Sequence, residues 1–68
     1  MNALETRCLK DWAEIAKEEI RVEQIKGAVY GFASELAVLR LLAKYRNAAN
    51  ARHGFSENLN SWYFSLEV

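Results

Sequence analysis

The chain has 68 residues, enough for one small domain spanning 1–68 and no more. It is 51% hydrophobic and 26% charged, with no proline, a composition that folds and does not stay disordered. Nine basic groups balance nine acidic ones, which removes any global attraction to nucleic acid or to an anionic membrane.

Small folds are commonly stapled by disulfides, a metal or self-association. Cys8 is the only cysteine, so no disulfide forms within one chain. Cys8 and His53 are the only soft ligands, too few for zinc. Elimination leaves a homo-oligomer, and a dimer is expected. No secretory leader is read at Met1–Cys8, because Glu5 and Arg7 interrupt it and no apolar run follows. With a lone reduced cysteine, this points to the cytoplasm. The richest apolar region, Gly27 to Ala43, is broken by Glu35 and Arg40 and is too short to cross a bilayer.

Residues 3–23 are predicted to form a helix. Asn2 is the candidate N-cap, with Glu5 placed to close a capping box. Cys8, Trp12, Ile15, Val22 and Ile25 step at helical intervals, and Leu9, Ala13, Ala16 and Ile20 lie beside them. Lys10, Glu14, Lys17, Glu18 and Arg21 make the solvated face. Lys10–Glu14 and Glu18–Arg21 are placed to pair, each worth about 0.2–0.5 kcal/mol.

A second helix is expected over 27–51. Val29, Phe32, Leu36, Leu39 and Ala43 carry the apolar period onward. From Leu36 to Ala43 the helix is apolar nearly all round, which calls for cover on two or three sides. Gly54 reads as its terminator and His53 as a cap near its C-terminal end. Gly27 and Gly31 weaken a helix here by roughly 1 kcal/mol each, so a turn near Gln24–Gly27 is favoured over one continuous helix. The G-x-x-x-G spacing of these two glycines marks a turn or a close backbone crossing. For residues 55–68 a short helix with Ser56 as N-cap is preferred. The alternation of Trp62, Phe64, Leu66 and Val68 also fits a strand.

The expected architecture is therefore all-α. A helical hairpin, with a short C-terminal helix or arm, dimerises as a four-helix bundle through Leu36, Val38, Leu39 and Leu42. No catalytic set can be assembled. His53 is the sole histidine, Cys8 lies on the apolar stripe, and there is no glycine-rich phosphate loop, so no cofactor and no metal are expected. Phe55, Trp62, Tyr63 and Phe64 are the candidate recognition residues, because aromatic side chains anchor interfaces. A helix-turn-helix reading fails at Arg40, which sits where an apolar core residue is required. The alternative of a nucleic-acid binder rests on Arg40, Lys44 and Arg52, with Arg46 turned well away from Arg40 and Lys44.

From Tyr30 onward, the run YGFASELAVLRLLAKYRNAANARHGFSENLNSWYFSLEV resembles, in size, composition and texture, the small accessory proteins of lambdoid temperate phages encoded between the exonuclease and excisionase genes. The resemblance implies an early-expressed regulator that contacts host or phage proteins and alters host physiology or the lysis–lysogeny choice. It carries over no site residues. The functional expectation is a small non-enzymatic regulatory or adaptor protein that binds itself and another protein.

Overall fold

The computed structural model describes residues 1–68 and contains two helices and four strands. In chain order they are α1 (Ala3–Ala16), β1 (Arg21–Ile25), β2 (Ala28–Ala33), α2 (Glu35–Lys44), β3 (Ala51–Ser56) and β4 (Ser61–Glu67). The strands form one antiparallel sheet in the order β1-β2-β4-β3. The chain is thus two helix-plus-hairpin units whose second hairpin strands, β2 and β4, pair at the centre. Both helices lie on one face of the sheet, α1 against β1 and β2, α2 against β4 and β3. No helix is long and apolar enough to cross a membrane.

The all-α expectation is overturned, and with it the helical hairpin and the four-helix bundle. The reasons are local. The capping box at Asn2 and Glu5 forms as read from the sequence, each residue accepting a hydrogen bond from the other's backbone N–H at 2.8 Å. The helix then stops at Ala16, because Lys17 adopts the left-handed conformation (φ 60°) and donates its N–H back to Ala13. Residues expected to continue it become β1, and Lys26 (φ 53°) with Gly27 makes the tight turn into β2. Val29, Tyr30 and Phe32, read as the start of a second helix, are good strand formers. That helix begins only at Ser34, whose hydroxyl accepts from the Ala37 N–H at 3.2 Å. Residues 55–68 are not helical: Phe55 and Ser56 end β3, and Ser61–Glu67 form β4. His53 and Gly54 lie within β3 and terminate no helix. The ion pairs that form are Arg21–Glu23 and Arg52–Glu67, both at 3.8 Å, in place of Lys10–Glu14 and Glu18–Arg21.

The core lies between the helices and the sheet. It joins Trp12 and Ala16 of α1, Ala37, Val38 and Leu41 of α2, Val22 and Val29 of the first hairpin, and Phe64 of β4. Trp12 meets Phe64 edge to face, with ring centroids 5.2 Å apart. Gly31 is what admits the indole, since a Cβ at that position would lie 2.7 Å from the Trp12 ring. Two bonds tie the helices together. Ser34 donates its hydroxyl to the Glu18 carboxylate, and Arg40 donates to the Ala16 carbonyl at 2.7 Å. The apolar middle of α2 therefore finds its cover in the chain's own sheet. Val38 and Leu41 are fully buried and Leu42 is half-buried.

Candidate functional site

With the core closed inside one copy, the surfaces that matter are those where apolar side chains stay in water. Large exposed hydrophobic residues include Leu36 (54% exposed), Leu39 (55%) and Phe55 (45%). Leu36 and Leu39 belong to α2 and Phe55 to β3. Arg40 reaches α1, so the flank of α2 that carries Leu39 and Leu42 faces the other way, towards β3. The α2 N-terminus follows Ala33, which stands opposite Trp62 in the sheet, and Trp62 stands opposite Phe55. Since successive strand residues alternate between faces, Phe55 and Trp62 share the helix side of the sheet with the core residue Phe64. Phe55 and Trp62 touch edge to face at 5.4 Å. Phe55 and half-buried Trp62 thus form an apolar corner at the β3 edge, on the side to which the Leu39 flank of α2 turns, whereas exposed Leu36, one turn before Arg40, shares the Arg40 side of the helix.

The residues singled out in the sequence are thus redistributed. Of the four aromatics, Phe55 and Trp62 meet in this corner. Phe64 is fully buried in the core, and Tyr63 points to the opposite face of the sheet. Of the four residues expected at a helical dimer core, Val38 serves the monomer's own core, Leu42 is half-buried, and Leu36 and Leu39 are exposed.

The second surface is the sheet face away from the helices. It carries Tyr30 and Phe32 of β2 and Tyr63 of β4. The Tyr30 and Phe32 rings lie nearly parallel at 6.0 Å, and Tyr30 and Tyr63 lie 5.5 Å apart. With Ile25, Ser56, Asn58 and Leu59 they line an open, mostly apolar groove of about 460 Å3. None of the three aromatics had been assigned to a shared groove from the sequence. The available signal was the alternation of Ala28, Tyr30 and Phe32.

The basic residues do not converge. Arg40 and Lys44 belong to the helical layer. Arg52 lies on the open sheet face, paired with Glu67 and donating to the Ala49 and Ala51 carbonyls. Cys8 is half-buried on α1, and burial pushes its thiol above the ordinary range. His53 is exposed on the edge strand β3, which α1 does not cover. No group of three or more His, Cys, Asp or Glu side chains is placed to hold a metal ion.

No protein-family model, curated protein or solved structure shows significant similarity to this chain.

Proposed function

We propose that this chain is a non-enzymatic regulatory or adaptor protein that works in the cytoplasm by binding another protein through the Phe55–Trp62 corner and the exposed leucines of α2, Leu36 and Leu39. The observation that carries the reading is the exposure of Leu36, Leu39 and Phe55, none of them part of the core, with Phe55 packed on a half-buried tryptophan. Exposed apolar surface marks interaction sites. Tryptophan is among the side chains favoured as interface anchors. The separation of Cys8 from His53 supports the absence of nucleophilic catalysis. The resemblance of the Tyr30–Val68 run to phage accessory proteins is the ground for seeking the partner among host or phage proteins.

The nucleic-acid alternative finds less support, because Arg40 and Lys44 sit on one layer and Arg52 on the other side of the sheet.

The test is comparative capture. Wild type and the Leu36→Ser/Leu39→Ser/Phe55→Ser variant are each immobilised, and bound bacterial proteins are compared by mass spectrometry. A protein held by the wild type and lost from the folded variant is the expected result. An identical set of captured proteins would rule the corner out.

A further inference from the structure

The open face of the sheet has a charge order that the sequence hides. Read straight across the strands, one row of side chains is Glu23, Tyr30, Ser65, Arg52. The row beside it is Arg21, Phe32, Tyr63, Gly54, and the row on the other side includes Ile25, Ala28 and Glu67. The first row is negative at the β1 edge and positive at the β3 edge. At its centre a bulky tyrosine stands beside a small, buried serine. A two-fold axis parallel to the strands, between β2 and β4, exchanges the two edges. It sets Glu23 of one copy against Arg52 of the other, twice, and each Tyr30 against a Ser65.

We propose that the open sheet face packs on the same face of a second copy of this chain, giving a two-fold dimer joined by reciprocal Glu23–Arg52 contacts. Aligned sheets pack with strand directions within about 30° of each other, which keeps facing rows near this register. The pairs Arg21–Glu23 and Arg52–Glu67 within each copy are long and solvated, so they hold their partners weakly. In the dimer they join end to end. Arg21 and Glu23 of one copy continue into Arg52 and Glu67 of the other, an alternating chain of charge at both rims. Between the rims, half-buried Tyr30 and Tyr63 supply the apolar centre around the already buried Phe32, an apolar middle with a charged rim such as specific interfaces share.

Strands about 4.8 Å apart and residues about 3.3 Å apart make each face roughly 20 by 20 Å. The pair then buries on the order of 1,000 Å2, near the lower bound for a specific interface. The helical layers point outward in this dimer and leave both copies' Phe55–Trp62 corners free. The dimer thus stands or falls separately from the binding role given to that corner.

Sedimentation equilibrium of the full chain, from low micromolar to millimolar concentration, tests it. Wild type is expected to dimerise. Glu23→Arg and Arg52→Glu are each expected to weaken the dimer about tenfold or more by opposing like charges. Combining them restores opposite charges in both facing pairs while setting a like charge beside Arg21 and another beside Glu67, and is expected to associate more tightly than either single variant. All three variants change exposed side chains, and circular dichroism checks that each is folded. A monomeric wild type at millimolar concentration would overturn the proposal. So would a wild-type dimer indifferent to both single reversals, or a double variant no better than the singles.

Discussion

The chain builds the same unit twice, a helix followed by a β-hairpin, and finishes the two copies differently. In the first unit the edge is closed. The Glu5 carboxylate that completes the α1 capping box also accepts the Gln24 backbone N–H at 2.9 Å, and Asn2 donates its amide to the Gln24 side chain at 2.7 Å. One acidic residue thus caps the helix and guards edge strand β1. The unit's tryptophan, Trp12, is fully buried. In the second unit the N-cap Ser34 turns its hydroxyl to α1, nothing comparable reaches β3, and the tryptophan of β4 is only half-covered. The first unit spends its side chains on holding the fold. The second leaves apolar surface uncovered where it can be used for binding.

Substituting the two tryptophans is the strongest way to break this contrast. Trp12→Ala is expected to cost about 3–5 kcal/mol in denaturant unfolding. Trp62→Ala should cost roughly half of that or less, since part of its surface is already wet. The glycines sharpen the comparison. Gly31 on β2 and Gly54 on edge strand β3 both face crowded positions, Gly31 towards the helices and Gly54 on the open face, and their obstacles differ. A Cβ at Gly31 runs into the buried Trp12 ring, whereas one at Gly54 meets the phenol end of half-exposed Tyr63. Gly31→Ala is expected to cost about 2–3 kcal/mol and Gly54→Ala under about 1 kcal/mol, because only Tyr63 can swing aside. Smaller effects of the opposite sign are expected where the first unit holds lysines at positive φ. Lys17→Gly and Lys26→Gly should each raise stability by up to about 1 kcal/mol, read as a higher melting temperature.

The smallest effect concerns pH. Hydrogen bonds from the Asn2 and then the Gln24 backbone hold the Glu5 carboxyl below its ordinary value of 4.5. A carboxylate with a depressed folded pKa stabilises above its unfolded value, and the gain is lost as pH falls through the folded one. The melting-temperature gap between wild type and Glu5→Ala should therefore be full at neutral pH and shrink below pH 4.5. A gap constant down to strongly acid pH would separate β1 edge protection from the Glu5 charge.

What the sequence made legible followed from local chemistry. The Asn2–Glu5 box could be read because a cap is a contact between near neighbours. The need of Val38 and Leu41 for cover was also readable, although the cover is the chain's own sheet and not a second helical hairpin. The strands were hidden by a coincidence of spacing. Val22, Ile25, Val29 and Phe32 fall at helical intervals, while β2 is apolar on both sides. Val29 and Gly31 lie under the helices, and Ala28 and Phe32 face the aromatic groove, so no polar alternation marks the strand. That error carried into the tail. The alternation of Trp62, Phe64 and Leu66 was visible, but a strand needs partners, and its partners had been read as helix. The Phe55–Trp62 corner depends on sheet pairing, which no local pattern encodes. The placement of Glu23 and Arg52 at opposite ends of one row across four strands depends on it as well.

The direct test is equilibrium unfolding of Leu36→Ser/Leu39→Ser/Phe55→Ser beside wild type. If these side chains lie outside a closed core, the unfolding free energy should stay within about 1.5 kcal/mol of wild type, the sum expected of three surface changes. A loss of several kcal/mol, comparable to Trp12→Ala, would contradict the account and return those residues to the interior.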